Sequence, residues 1–361
     1  MKSKKSLSKK RSSPIFIIGD PHFRAKNYLE GEELTIKCVD TATSLNPEII
    51  IILGDILDTH EVARNTPFKQ AIKFIELLSD IAPVYVLIGN HDLVNQSQYL
   101  TDNHFFVPLK KWPNVTIVDE PIKITIKDKN FVLCPYVPPG RFQEALDVLV
   151  DEEFDWRFDA NCIFAHQEIR GVVYGGKEST KGDIWEDEYP PLICGHIHTP
   201  CQVGNNVFYP GSSVQVAIDE APDKRVWSLT FNDEWSGADA LKIEKIDLGL
   251  KGKKEVEIAI EDIEEFDFDL TEKYYIKLKI RGTSEQFKLF RKSKLHAELI
   301  RKSVKIGFDP IKTDILPLCN EGATKGKTFE QIVKKLVKKR SENVKKAYED
   351  MNTTEVEFVE N

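Results

Sequence analysis

The sequence predicts an α/β fold built in layers, and three observations predict it. Short β-branched runs recur through the first two thirds of the chain, beginning with Ile15–Ile18, Ile49–Leu53 and Val84–Ile88. Helical patterns lie between the early runs, and strands predominate later. The texture then changes near residue 250 of 361, so a second, smaller unit is expected.

Residues 1–13 hold six Lys or Arg among serines, too little apolar surface to fold, and are expected to form a disordered basic tail. A large α/β domain is expected over 14–250. Its further strands are Asn130–Cys134, Cys162–Ala165, Leu192–Cys194, Asn206–Tyr209 and Val226–Phe231. The clearest helix is Pro67–Asp80, with Phe68, Ala71, Ile72, Ile75 and Leu78 on one face and Pro67 in its first turn. A small α/β cap domain is expected over 251–315. There Tyr274–Ile280 alternates as a strand, and a helical pattern follows with Phe287, Phe290, Leu295, Leu299 and Ile300. The acidic stretch before that strand reads as linker, edge strand or both. Residues 316–361 are expected to carry an amphipathic helix from about Thr328 to Met351, opened by a Thr328/Gln331 capping-box spacing.

Net charge is −8, but the charge is uneven. Residues 255–272 hold nine Asp or Glu and no Lys or Arg, whereas 273–305 hold eleven Lys or Arg and two Glu. The basic run suits phosphate contacts or a solvated face. The six cysteines are scattered without a C-x-x-C pair, which disfavours a disulfide framework and fits a reducing compartment. No apolar run approaches the ~18–20 residues that span a bilayer, and no apolar leader opens the chain. The expected location is intracellular: the cytoplasm, or the nucleus if the basic tail is an import signal.

Five polar clusters each follow an apolar strand: Gly19-Asp20-Pro21-His22, Gly54-Asp55-Ile56-Leu57-Asp58, Gly89-Asn90-His91-Asp92, His166, and Gly195-His196-Ile197-His198. In layered α/β proteins the strand ends form the rim where ligands bind. Carboxylate, amide oxygen and imidazole together favour manganese, iron or zinc over calcium or an all-sulfur site. Asp55 is a natural bridging ligand. His196 and His198, alternating in an extended segment, can address neighbouring ions. Five of the eight histidines fall in these clusters. His60, His104 and His296 fall outside and read as surface residues, His60 alone being near enough to reach the site.

These clusters resemble the motif of the calcineurin-like metallophosphoesterase superfamily: D-x-H, GD-x-x-D, GNH-D/E, a lone H, then GH-x-H. The resemblance implies two central β-sheets flanked by helices and a pair of divalent ions, manganese first, iron or zinc as alternatives. Asp20, His22, Asp55 and His198 would hold one ion, and Asp55, Asn90, His166 and His196 the other. His91 would protonate the leaving group or grip the phosphate, oriented by Asp92, with Asp58 supporting the ligands. The reaction implied is attack of metal-bridged hydroxide on phosphorus.

Protein phosphatases of this class show Arg-Gly after the second Asp of the GD motif and Glu after GNH, where this chain has Thr59-His60 and Asp92. The chain more closely resembles SbcD-type nucleases of DNA double-strand-break repair. The similar stretches are Gly54–Asp58, Gly89–Leu93, His166–Gly171 and Tyr209-Pro210-Gly211-Ser212. That resemblance implies a DNA substrate, docking of about 328–351 on an SMC-like SbcC-type ATPase, and a homodimer formed through helices such as Pro67–Asp80. A nucleotide or small-molecule phosphodiesterase is the alternative. A non-catalytic scaffold ranks last, because all seven ligands are kept.

Overall fold

The computed structural model describes residues 14–231 and 240–311, with six further positions (337, 338, 342 and 344–346). The chain divides into two compact units, residues 1–310 and 311–361. The expected tail over 1–13 lies outside the described residues, as does nearly all of the helix expected over 328–351.

The strands are β1 (Ile15–Ile18), β2 (Ile49–Ile52), β3 (Val84–Leu87), β4 (Val115–Val118), β5 (Ile122–Ile126), β6 (Lys129–Cys134), β7 (Cys162–His166), the short hairpin β8 (Val173–Tyr174) and β9 (Lys177–Glu178), β10 (Leu192–Gly195), β11 (Cys201–Val203), β12 (Val207–Tyr209), β13 (Arg225–Phe231), β14 (Leu241–Asp247), β15 (Gly252–Ala259), β16 (Tyr274–Gly282) and β17 (Lys305–Pro310). The helices are α1 (Tyr28–Leu45), α2 (Asn65–Ser79), the short α3 (Phe142–Leu146), α4 (Trp156–Asp159) and α5 (Leu270–Lys273), then α6 (Ser284–Phe290) and α7 (Lys294–Arg301).

Two six-stranded sheets, ordered β14-β13-β1-β2-β3-β4 and β11-β12-β10-β7-β6-β5, form the centre of the first unit. The period-two alternation of each strand sorts its side chains between two cores. Ile15 and Ile17 of β1 and Ile49 and Ile51 of β2 meet Phe131, Leu133, Phe164 and Ile193 of the second sheet. Their neighbours Phe16, Ile18, Ile50 and Ile52 pack instead with Leu34, Cys38, Phe74, Ile75 and Leu78 of α1 and α2. On the far side, Ile163, Ala165, Leu192 and Cys194 pack with Phe142, Leu146 and Trp156 of α3 and α4. Helices thus flank both sheets, and the all-apolar strands read from the sequence are those buried on both faces.

β1, β2 and β3 run parallel, as do β7 and β10. Within each sheet their C-terminal ends therefore open on the same side, and the five clusters lie at these ends. This topology gathers residues that lie far apart in the chain.

In the smaller three-stranded sheet, ordered β15-β16-β17, Ile276, Leu278 and Ile280 of β16 are buried against Phe290 and Leu299. The helical pattern after β16 breaks at residues 291–293 into α6 and α7, each capped at its N-terminus by a hydroxyl, Thr283 and Ser293. Ile300, expected on the buried face, is 53% exposed, because α7 turns its Leu299 side inward. The acidic stretch begins inside β15, an edge strand of this sheet, and continues through a 3-10 turn over Ile260–Glu265 into α5.

Four cations of the basic run are matched by acids. β15 and β16 pair in parallel with Glu255 opposite Lys277 and Glu257 opposite Lys279. Lys277 and Lys279 both lie 2.6 Å from Glu255 carboxylate oxygens, Arg281 pairs with Asp309, and Lys302 pairs with Glu272. Along β15 and β16, charge segregated in the sequence is interleaved in space.

Candidate metal centre and catalytic cleft

Each cluster sits where a buried strand ends and the backbone turns sharply. Asp20, His22, Asp55 and His196 adopt left-handed backbone angles, with φ of 31°, 45°, 49° and 83°. Such angles cost non-glycine residues of order 1–3 kcal/mol and persist only where the surroundings enforce them. Here the enforcement is visible. His22 and Phe23 donate backbone N–H groups to the carbonyls of Asp55 and Ile56, stitching the first cluster to the second. Asp92 fastens the second to the third, its carboxylate accepting from the backbone N–H groups of Ile56, Leu57 and Gly89 at 3.2, 2.9 and 3.1 Å.

This differs from the expectation that Asp92 orients His91. The carboxylate is occupied by backbone donors, and His91 Nδ1 lies instead 3.0 Å from the carbonyl oxygen of Asp58. Asp92 is spent on tying two loops together. Burial and the nearby Asp55 charge push it up to about 7, against the pull of those amides.

Gly89 is required for a different reason. A Cβ there would lie 2.3 Å from both the backbone nitrogen and Oδ1 of Asp55, closer than real contacts allow. Gly89→Ala is expected to displace Asp55 and to lower the hydrolytic rate by about 100-fold, the scale of a 1 Å misplacement. Initial rates at saturating metal, with the melting temperature as a folding control, check this.

The side chains gather into two groups joined by Asp55. On one side, Asp55 Oδ2 lies 3.6 Å from His22 Nε2, which is 2.9 Å from His198 Nε2. On the other, Asp55 Oδ1 lies 3.4 Å from His166 Nε2, which is 3.1 Å from Asn90 Oδ1, itself 2.8 Å from His196 Nδ1. Ligand atoms of Asp55, His166 and His196 fall within 4.8 Å of one another. His196 and His198 thus meet different partners, as two neighbouring ions would need. They do so from a segment that is not extended, because the strand ends at Gly195 and His196 turns left-handed.

Asp20 is fully buried. Its Oδ2 accepts the His196 backbone N–H at 3.0 Å, while Oδ1 has no hydrogen-bond partner and sits 3.6 Å from His166 Nδ1.

The donor set fits divalent metal. His166 Nδ1 is 2.6 Å from the Leu53 carbonyl and so carries the hydrogen, leaving Nε2 as a lone pair facing Asn90 and Asp55 oxygens. His198 Nδ1 is 3.0 Å from Glu220 Oε1, which likewise leaves its Nε2 bare and facing His22. The His166 lone pair aimed at two oxygens, beside an orphaned carboxylate oxygen, needs a positive centre between them. The same negative surroundings also attract a proton, which competes with metal for His166. Burial disfavours charge on His166, but Asp55 and then Asp20 outweigh it and push this imidazole up to about 9. Burial would raise Asp55, yet His166, His22 and His91 hold it well below the usual carboxylate range.

Asp58 reaches His22 Nδ1 at 3.5 Å and Arg24 at 2.6 Å, consistent in geometry with a supporting part. His91 stands beside the centre, its backbone N–H donating to Asp55 Oδ1 at 2.9 Å. His60 stacks on its ring with centroids 4.8 Å apart. His104, expected at the surface, has an enclosed side chain paired with Asp119 at 3.1 Å.

Sequence reasoning missed Glu220 and Lys224. They lie in the loop before β13, where a Glu-x-x-x-Lys spacing reads as a surface pair. Yet their side chains are only 15% and 4% exposed. Burial would raise Glu220, but His198 and Lys224 hold it down to about 2.

The centre lies in a cleft of about 580 Å³ lined by Asp55, Asn90, His91, Tyr136, His196 and His198 among others. Among the described residues no helix is long and apolar enough to cross a membrane.

The calcineurin-like phosphoesterase family matches residues 13–200, which contain all seven of the candidate ligands. Protein 244L of Invertebrate iridescent virus 6, named as a phosphoesterase, is 41% identical over 281 residues, 78% of this chain and 98% of that protein. Protein 078R of Invertebrate iridescent virus 3, named likewise, is 33% identical over 304 residues, 84% of this chain and 86% of that protein. The DNA double-strand break repair protein Mre11 of Methanococcus maripaludis is 23% identical over 232 residues, 60% of each chain. With five motif clusters folded into one cleft and this match over more than half its length, the chain belongs to the calcineurin-like phosphoesterase family and is a metal-dependent phosphoester hydrolase.

Proposed function

We propose that this hydrolase is a manganese-dependent nuclease of the SbcD type, cutting the phosphodiester bonds of DNA in repair or recombination. The observation that carries the step from phosphoesterase to nuclease is the likeness to the archaeal double-strand break repair protein, over 232 residues. The cleft supports the chemistry. When bound, divalent ions supply the charge that polarises phosphoryl oxygens and acidifies the attacking water. Asp20, His22, Asp55 and His198 would hold one ion, and Asp55, Asn90, His166 and His196 the other.

His91 presents Nε2 to the cleft while Nδ1–H stays on the Asp58 carbonyl. Burial leads in lowering its affinity for a proton. An arriving phosphate restores that affinity through its negative charge, so the ring gains the proton it gives to the leaving oxygen. DNA is the proposed partner. Docking of 328–351 on an SMC-like ATPase and pairing of two copies through α2 belong to the same proposal.

A second reading, a nucleotide or small-molecule phosphodiesterase, is favoured by the charge of the molecule. The cleft is lined by Glu168 and Glu220, and the lysines of β16 are paired with glutamates.

Labelled linear double- and single-stranded DNA, incubated with manganese, decides between them. The expected result is cleavage that chelator abolishes. Intact DNA alongside rapid hydrolysis of a generic small diester would instead establish the second reading.

A further inference from the structure

We propose that Glu220, seated on Lys224, is the positioning residue that fixes His198 for metal binding. The inference rests on the metal-centre reading and not on the identity of the substrate. A histidine ligand must present one nitrogen as a lone pair, and the hydrogen bond made by the other nitrogen decides which one it is. For His166 that bond goes to a neutral backbone carbonyl, Leu53, at 2.6 Å. For His198 it goes to a carboxylate, Glu220 Oε1, at 3.0 Å. A carboxylate partner both fixes the tautomer and makes the opposite nitrogen a stronger donor.

The carboxylate is itself held. Its other oxygen accepts from Lys224 Nζ at 2.8 Å and from the Val216 backbone N–H at 2.9 Å. Gln215 Nε2 donates to the Glu220 carbonyl at 2.8 Å, clamping its backbone. Lys224 Nζ makes two further bonds, to the His198 carbonyl at 2.8 Å and to Ser212 Oγ at 3.1 Å. One ammonium group therefore secures both the anchor of the ring and the backbone that carries the ring. Lys224 is nearly enclosed, its side chain 4% exposed, and a lysine is taken out of water to this degree only when its donors are matched. The lysine also cancels the charge of Glu220, so the anchor adds no net charge beside the ions.

Manganese titration calorimetry on the full chain tests this, comparing wild type with Glu220→Gln, Glu220→Ala, Lys224→Met and His198→Ala. Wild type is expected to bind two ions. Both Glu220 variants are expected to weaken one of them by about 10- to 100-fold and leave the other unchanged, with Gln the milder because it can still accept from Nδ1–H. His198→Ala is expected to weaken the same ion. Lys224→Met is expected to weaken it too, and the Glu220/Lys224 double variant to be no worse than Glu220→Ala.

Wild-type affinities in both Glu220 variants would overturn the proposal. So would equal weakening of both ions with a lowered metal-free melting temperature, which marks a merely structural pair. Additive losses in the double variant would remove Lys224 from it. A wild-type protein binding no manganese would overturn the metal-centre reading itself, whereas failure to cut DNA would touch only the substrate.

Discussion

Asp55→Ala is expected to reduce metal-dependent phosphodiester hydrolysis by about 1,000-fold or more. The two oxygens of Asp55 face the two groups of donors separately, Oδ2 toward His22 and Oδ1 toward His166. Removing them would take a ligand from both candidate metal positions at once. Metal charge contributes several kcal/mol to such reactions, and each 1.36 kcal/mol is a factor of ten. The same variant should lose bound manganese, measurable by titration alongside the rate. A variant that keeps two ions and more than a tenth of the activity would mean that Asp55 does not bridge them.

His91→Ala is expected to behave differently, and the contrast separates binding from proton transfer. Its side chain touches the Asp58 carbonyl and stacks on His60, so both metal positions should fill normally. The rate should nonetheless fall by about 100- to 10,000-fold, the range for losing a positioned acid. The loss should shrink for diesters whose leaving group is already acidic, such as nitrophenolates, because that oxygen needs no proton. Equal losses for good and poor leaving groups would assign His91 to gripping the phosphate instead.

What was legible in the sequence follows from where each signal comes from. β1, β2, β3, β7 and β10 are buried on both faces, so their runs are continuously apolar, and each is punctuated by a motif. β4, β5 and β14 carry no motif and expose alternate residues, and β11 is only three residues long, so composition did not announce them. The metal-site side chains were legible because their types are costly to bury without a shared purpose.

Their supports were not legible. Asp92 looked like the partner of its neighbour His91, but its bonds go to amides 35 and 36 residues away, at Leu57 and Ile56. Glu220 acquires its meaning only when the loop before β13 folds back over His198. His104 is enclosed by its pairing with Asp119, which no local pattern reveals. The ion pairs of the β16 lysines were hidden for a similar reason. Their partners stand 22 residues earlier in the chain, for Lys277 with Glu255 and Lys279 with Glu257, and register is not a property of composition.

The wide dispersal of the donors, from Asp20 after β1 of the first sheet to His198 after β10 of the second, bears on how the protein folds. No hairpin or single sheet contains a full set of ligands for either ion. High-affinity metal binding therefore has to wait until loops of more than a hundred residues have closed, which is the slow, high-contact-order part of folding. Metal capture during refolding would thus time the docking of the two sheets. A bound ion favours the folded state over every partly folded one by the mass-action of its binding. The cation is consequently a clasp on the two sheets as well as a reagent.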